Sequence, residues 1–166
     1  HSCRPLLEDM GDSELPLVAI SQQVEPLLVY LGPERLAWLG VDAAEAEARA
    51  VANLGRIAAL WRVVQAATPS GAWLELHVHE GPLAAERVLD REELRRLGAE
   101  RLRDESLALG IPHRGLLMAT SAATALDGAF PTVVRDLYDE AAAGGGPALS
   151  PRVFLVERGE LVGLLA

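Results

Sequence analysis

The sequence is poor in several residue types that define particular protein classes. It contains no lysine, a single cysteine and only 4% aromatic residues. With Cys3 alone, the chain can form neither an internal disulfide nor a cysteine-based zinc site, which favours a reducing, cytoplasmic location. No apolar run approaches the ~20 residues that are needed to span a bilayer, so we expect no membrane partner. The first residue is His1 rather than Met, so the sequence is also compatible with a signal peptide that has been removed.

The charge distribution argues against a nucleic-acid partner. The net charge is −9 and all of the basic residues are arginines, whereas binding to phosphates requires clustered basic residues. The densest run of arginine, in residues 87–103, is interleaved with glutamate and aspartate, a mixture that is typical of a solvated helix face. The acidic surface is compatible with solubility alone or with a basic protein partner.

The order of the expected elements indicates one α+β domain. Half of the 166 residues are hydrophobic, which is enough to form a core without disulfides or a structural metal. Residues 1–16 carry two prolines and are expected to form a loose N-terminal arm, followed by a single domain over residues 17–166. Strands and helices mix without regular βαβ alternation, which favours a mainly antiparallel sheet with about three helices packed on one side of it and a C-terminal β-hairpin.

Hydrophobic periodicity and turn residues predict the individual elements. Asp42 is expected to cap a long helix, whose apolar stripe extends to Val64 and which residues 68–71 end. A second long helix is expected to begin at Asp90 and to extend to about Leu109. The other predicted elements are strands over 16–20, 26–32, 72–80 and 114–122, helices over 32–40 and 130–143, and a hairpin of 152–156 with 161–165 that turns at Arg158 and Gly159. The two N-terminal strands could form a hairpin across residues 21–25.

The strand predicted over residues 72–80 gives the sharpest chemical signal. Its apolar and polar residues alternate strictly, so one face carries Glu75, His77 and His79 while the other is apolar. Two imidazoles at alternate strand positions are spaced as ligands of a divalent metal, and His113 or Glu80 could supply a further ligand. A polar strand face that is turned to water explains the same pattern without a metal, and we favour that interpretation.

Asn53 and Arg114 are the two candidate ligand-binding residues. Asn53 lies among apolar residues of a predicted helix, where it either binds a ligand or, as we favour, forms a buried amide that bonds to a loop backbone. Arg114 lies at the start of a predicted strand, and its planar guanidinium could bind an anion or carboxylate. It could equally pair with Asp104 or Glu105 on the preceding helix.

Motifs of nucleophilic catalysis and of phosphate binding are missing from the sequence. No Gly-x-Ser-x-Gly frame surrounds a serine. The glycine run at 144–146 follows a predicted helix instead of opening one, so it lacks the amide cradle of a phosphate loop. We therefore expect binding rather than catalysis, and no resident cofactor apart from the divalent metal considered above.

Three segments also match the pattern of a known family. They are LGVDAAEAEARAVANLGRI (39–57), with Ala50, Asn53 and Leu54 on an A-x-x-N-L pattern; GIPHRGLLMATSA (110–122), with Pro112 and Arg114 on a Pro-x-Arg pattern; and ALSPRVFLVERGELV (148–162). Together they resemble the YtpQ family of uncharacterised bacterial cytoplasmic proteins, although Gly115 stands where that family usually has an acidic residue and residues 68–109 have no counterpart. The resemblance implies an α+β fold and a cytoplasmic location, and it implies no activity.

The leading hypothesis is a small acidic binding or accessory domain, whose partner is an unknown protein or small ligand. One alternative is a metal-binding protein or metal-dependent enzyme that uses His77 and His79. A further alternative is a chaperone-like or immunity-like protein, whose acidic surface masks a basic partner. The sequence predicts no oligomeric state.

Overall fold

The computed structural model describes residues 3–7, 17–19, 21–24, 27–65, 72–78 and 83–165. The strands in these ranges are β1 (Cys3–Pro5), β2 (Leu17–Ala19), β3 (Ser21–Val24), β4 (Leu27–Tyr30), β5 (Ala59–Gln65), β6 (Ala72–Val78), β7 (Ser106–Gly110), β8 (Leu117–Ser121), β9 (Val153–Glu157) and β10 (Glu160–Leu164). The α-helices are α1 (Pro33–Leu39), α2 (Ala43–Leu54), α3 (Arg91–Leu97), α4 (Ala122–Asp127) and α5 (Phe130–Ala143). A 3-10 helix over Ala85–Leu89 precedes α3, and a π-helical turn over Gly98–Leu102 follows it.

Six strands form one sheet in the order β10-β9-β7-β8-β6-β5. All of its neighbouring strands are antiparallel. The predicted α+β class with an antiparallel sheet is therefore confirmed, and the described ranges contain five α-helices where about three were expected. None of the helices in these ranges is long and apolar enough to cross a membrane.

The C-terminal hairpin of β9 and β10 is confirmed, with its turn at the predicted place. Arg158 and Gly159 have φ angles of 52° and 87°, and positive φ at both central residues is the requirement of a type I′ turn. The N-terminal strands pair differently from the prediction. Residues 21–24, expected as a connection, form β3 and pair with β4, while β2 pairs with β1.

Helices cover both faces of the six-stranded sheet, so the expectation of helices on one side is wrong. On the first face, the 3-10 helix and α3 pack against the strands, with Leu94 and Leu97 in the core. On the second face, α4 contributes Ala125 and α5 contributes Phe130 and Val134 to a separate core. Leu6, which follows β1, is also buried in the first core.

The central strand β7 shows how the two cores are separated. Leu107 and Leu109 belong to the first core, while Ala108 belongs to the second, as the alternation of a strand requires. Gly110 continues the second face, and a Cβ there would lie 2.4 Å from Cγ2 of Val134. Helix α5 therefore packs directly on the backbone at this position, which only glycine permits.

The long helix expected after Asp42 ends twelve residues later and is replaced by a strand. Asp42 caps α2 as predicted, because its side chain accepts a 2.8 Å bond from the backbone N–H of Glu45. The helix stops at Gly55, and residues 59–65 form β5, which pairs with β6 along its whole length. The segment is rich in β-branched and aromatic residues, and pairing with a neighbouring strand overrides a helical spacing of apolar residues.

The helix expected to extend to Leu109 is also shorter than predicted. The Asp90 cap is confirmed by a 3.1 Å bond from the N–H of Glu93, but the helical turns end at Leu102. Arg103 then adopts a left-handed φ of 53°, and the Asp104 side chain accepts a bond from Ser106 N at the start of β7. Leu107 and Leu109 alternate as a strand requires. The helical prediction arose because Leu102 and Leu109 are seven residues apart, a spacing that also fits one face of a helix.

Candidate functional site

Asn53 is exposed near the end of α2. Its Oδ1 accepts only a long 3.4 Å bond from Arg56. The interpretation as a buried amide that bonds to a loop is therefore wrong. Its role in ligand binding stays a prediction.

Arg114 joins three segments of the chain at the turn between β7 and β8. Its Nε donates a 2.7 Å bond to Oε1 of Glu86, its backbone N–H donates to Pro147, and its carbonyl accepts from Ala85 N. The alternative pairing with Asp104 or Glu105 is not what the structure shows. The side chain is about two-thirds buried, so the position is suited to holding the turn in place.

The histidines lie at one end of the sheet. Leu76 of β6 pairs with Leu117 of β8. His77 is the next residue after Leu76, and His113 lies four residues before Leu117. Nδ1 of His113 accepts a 3.2 Å bond from Gly115 N, so in the neutral ring Nε2 carries the proton and can donate it to a ligand.

The metal hypothesis for these histidines stays a prediction. The side chain of His77 and the whole of His79 lie outside the described residues. In the part of the chain that the structure describes, no group of three or more histidine, cysteine, aspartate or glutamate residues could hold a metal ion.

A different feature, the outer edge of β5, has the geometry of a binding surface. β5 and β10 are the edge strands of the six-stranded sheet. β5 pairs with β6 in unbroken register over seven residues, and no described strand pairs with its other side. Leu60 and Val63 are 59% and 60% exposed, and they lie on opposite faces of the strand because they are three residues apart. The carbonyl of Trp61 in β5 accepts a long 3.4 Å bond from Nη2 of Arg101. Apart from this carbonyl, the edge offers backbone hydrogen-bonding groups and apolar side chains.

An open crevice of about 840 Å³ adjoins the start of β5. One wall is formed by the end of α2 and the beginning of β5, and the other by α3 with the π-helical turn. Its volume lies in the range of small-molecule pockets. The lining residues are Gly55, Arg56, Ile57, Ala58, Ala59, Arg87, Asp90, Glu92, Glu93, Arg95, Arg96, Ala99 and Glu100.

Side-chain bonds hold the two walls together. The guanidinium of Arg87, which is buried, donates to the carbonyl of Ile57 and to Oδ2 of Asp90. The indole N–H of Trp61 donates a 2.8 Å bond to Glu93 on α3. Because the bonds come from different elements, the start of β5 has a fixed position relative to α3. We call this edge and crevice the β5 groove.

The π-helical turn brings additional residues to the β5 groove. Ala99 and Glu100 in this turn line the crevice. The preceding Gly98 is required there, because a Cβ would lie 2.5 Å from the carbonyl oxygen of Asp104. Single π-helical turns often mark functional sites.

Arg62, in the middle of β5, is an exposed positive charge. It forms no hydrogen bond or ion pair with any described residue. Its neighbour across the β5–β6 pair is Glu75, whose carboxylate accepts a 3.1 Å bond from the indole of Trp73. A cation at the centre of an open edge has a direct influence on what can pair there.

The prediction of a helix over residues 59–65 concealed the β5 groove. Two signals in the sequence could have revealed it. Gly55 is a helix-ending residue, and the run from Leu60 to Val64 contains the residue types that strands prefer.

No protein-family model matches the chain, and neither a curated protein nor a solved structure matches it.

Proposed function

We propose that this chain is a protein-binding domain that receives an extended segment of a partner along β5. The observation that carries the proposal is the regular outer edge of this seven-residue strand, with which none of the described strands pairs and on which Leu60 and Val63 are exposed. Soluble proteins usually blunt such an edge, because it is a template for pairing with another chain. Strand addition uses the main chain for affinity and the alternating side chains for specificity.

The crevice at the start of β5 supports the same proposal. A segment that pairs with the strand and continues beyond Ala59 reaches the crevice between residues 55–59 and α3. The bonds from Arg87 and Trp61 fix this wall before a partner arrives. A preformed surface reduces the entropy that is lost on binding.

A second copy of the chain is a poor occupant of this edge. Antiparallel self-pairing over the full length of β5 is centred on Arg62, so the two arginines would face each other. Like charges directly opposite in a strand pair are destabilising. Each copy also has a net charge of −9, which opposes association at low salt. We therefore propose a different protein as the partner.

Selection of peptides from a displayed random library tests this function. The bait is the full chain, and its matched variants are Leu60→Glu with Val63→Glu on β5, and Leu126→Glu with Val162→Glu elsewhere. All four positions are exposed leucine or valine residues, between 50% and 61%, so both variants change the same surface chemistry.

We expect peptides that bind the wild type and the second variant but lose at least tenfold in affinity for the first. Bound peptide should also slow hydrogen exchange in β5. The proposal fails if no peptide is selected, or if the selected peptides bind both variants equally well.

We also propose distant membership of the YtpQ family and action in the cytoplasm. Two of the three similar segments lie side by side, since Leu149 N donates to the carbonyl of Pro112 and Ser150 N donates to that of Ile111. Contact between these segments supports their treatment as one structural unit. Determination of the structure of a YtpQ protein would test membership, and an unrelated strand order would contradict it.

A further inference from the structure

We infer that the segment received by β5 carries one acidic residue, placed opposite Arg62 and flanked two positions away by apolar residues. The inference rests on the proposed function and specifies the chemistry of the partner. It starts from the exposed guanidinium of Arg62, which forms no hydrogen bond or ion pair with a described residue.

The positions of the side chains on β5 determine the pattern. Leu60, Arg62 and Val64 project to one face, because residues two apart in a strand share a face. A strand that is added along this edge presents its own alternate residues beside them. The residues opposite Leu60 and Val64 therefore meet apolar side chains, and the residue between them meets a positive charge. Opposite charges at directly paired positions stabilise a sheet.

The charge of the whole chain limits how acidic the segment can be. A net charge of −9 repels a strongly acidic partner at long range. A segment with one carboxylate, surrounded by apolar and neutral or basic residues, is attracted to Arg62 and is not repelled by the net negative charge of the chain. A run of acidic residues is attracted to Arg62 but is repelled by the net negative charge of the chain.

A lone arginine on an edge strand can also serve only to prevent self-pairing. The two roles differ in what they predict for bound peptides. A residue that only guards the edge has no influence on the sequence of a selected peptide. If the arginine instead pairs with a side chain of the partner, reversal of its charge changes the sequence of the selected peptides.

The test repeats the peptide selection with Arg62→Gln, Arg62→Glu and the matched control Arg135→Glu. Arg135 is exposed on α5, so its reversal changes the net charge by the same amount away from β5. We expect wild-type peptides to carry an acidic residue between apolar residues at the second position on either side. Their affinity should fall about two- to fivefold with Arg62→Gln, the effect of one cross-strand ion pair.

With Arg62→Glu, the central position of the selected peptides should change to lysine or arginine, while Arg135→Glu should leave the pattern unchanged. The same peptides from the wild type and Arg62→Glu would overturn the inference and leave the proposed function standing. A selection in which no peptide depends on Leu60 and Val63 would overturn the proposed function itself. The two failures are therefore distinguishable.

Discussion

The two edges of the six-stranded sheet are built in different ways. β10 pairs with β9 with a register shift between Leu161 and Gly163, which leaves Val162 as an extra residue, whereas β5 pairs with β6 without a break. A bulge bends and twists an edge so that another strand fits it poorly, while a regular edge presents a straight row of donors and acceptors. The chain thus protects one edge by its geometry and leaves the other available.

Helix α3 supports both edges from the first face. The turn of the C-terminal hairpin contacts it closely, because a Cβ on Gly159 would lie 2.4 Å from the carbonyl oxygen of Arg91. On the other side, Glu93 accepts the indole N–H of Trp61 in β5. The protected edge is held by close backbone packing at Gly159 and by an exposed ion pair of Arg91 with Glu160, and the open edge by the part-buried bond from Trp61 to Glu93. Separate substitutions can therefore weaken one edge at a time.

The largest effect is expected from Arg87→Met, which acts on the open edge. The substitution leaves the Asp90 carboxylate and the Ile57 carbonyl without their buried partner. We expect the free energy of unfolding to fall by about 3 kcal/mol, as is usual when one member of a buried pair is removed. Denaturant unfolding measures this, with the exposed Arg95→Met as control. Equal losses in the two variants would contradict the role of Arg87.

The second-largest loss of stability is expected from Gly159→Ala on the protected edge. Alanine at this position would have to adopt a left-handed φ, and its Cβ would clash with the backbone of Arg91. We expect a loss of about 2–3 kcal/mol, from the left-handed conformation and the overpacking together. Gly145→Ala is the matched control, because its φ is also positive but its surroundings are open. Similar losses in both would show that the contact with α3 contributes little.

Removal of the bond between Trp61 and α3 should have a smaller effect. Trp61→Phe retains most of the ring but removes the indole donor to Glu93. We expect the free energy of unfolding to fall by about 1 kcal/mol, the net contribution of a typical hydrogen bond. Hydrogen exchange should also become faster in β5 than in β10. Uniform acceleration in both strands would argue against a local role.

The exposed residues of the two edges should differ in their effect on association and hardly affect stability. The double substitution Leu60→Thr with Val63→Thr retains β propensity. We therefore expect the free energy of unfolding to change by no more than about 0.5 kcal/mol. Aggregation on partial heating, followed by light scattering, should decrease. Val162→Thr on the bulged edge should leave the aggregation on partial heating unchanged. A decrease of the same size for both edges would remove the distinction between them.

The smallest effect is expected at the end of β6, the neighbour of β5. If His77 and His79 form a polar strand face, as the alternation in the sequence favours, His77→Ala should leave the melting temperature unchanged with or without zinc. A rise in melting temperature of the wild type on adding zinc, lost in the variant, would instead support the metal alternative.

The sequence predicted best the elements whose signals are local. The C-terminal hairpin follows from the Arg158-Gly159 turn between two apolar runs, and the alternation in β6 correctly placed Leu74 and Leu76 in the core. Each signal lies within one short continuous stretch, at most residues 152–165, and has one structural interpretation. The caps at Asp42 and Asp90 are local in the same sense.

The sequence failed where the apolar spacing of a segment fits a helix and only its pairing with other strands makes it a strand. β5 was predicted as part of a helix, because the apolar residues from Val51 to Trp61 repeat at helical spacing. Its identity as a strand depends on pairing with β6, and β7 depends in the same way on β8 and β9. The run from Leu60 to Val64 could have identified β5 as a strand, but the groove itself exists only after β5 has paired with β6 and lies beside α3.

The position of β7 between β8 and β9 has a consequence for synthesis on the ribosome. β7 acquires one partner as soon as β8 follows it, but its second partner is Val153–Glu157. Until those residues emerge, Leu107 and Leu109 lack the neighbouring Phe154 and Val156 of the first core. Long-range pairing of this kind delays folding and exposes unpaired edges. The nascent chain therefore has an open strand at the centre of the six-stranded sheet during synthesis, whereas in the finished sheet β7 is paired on both sides.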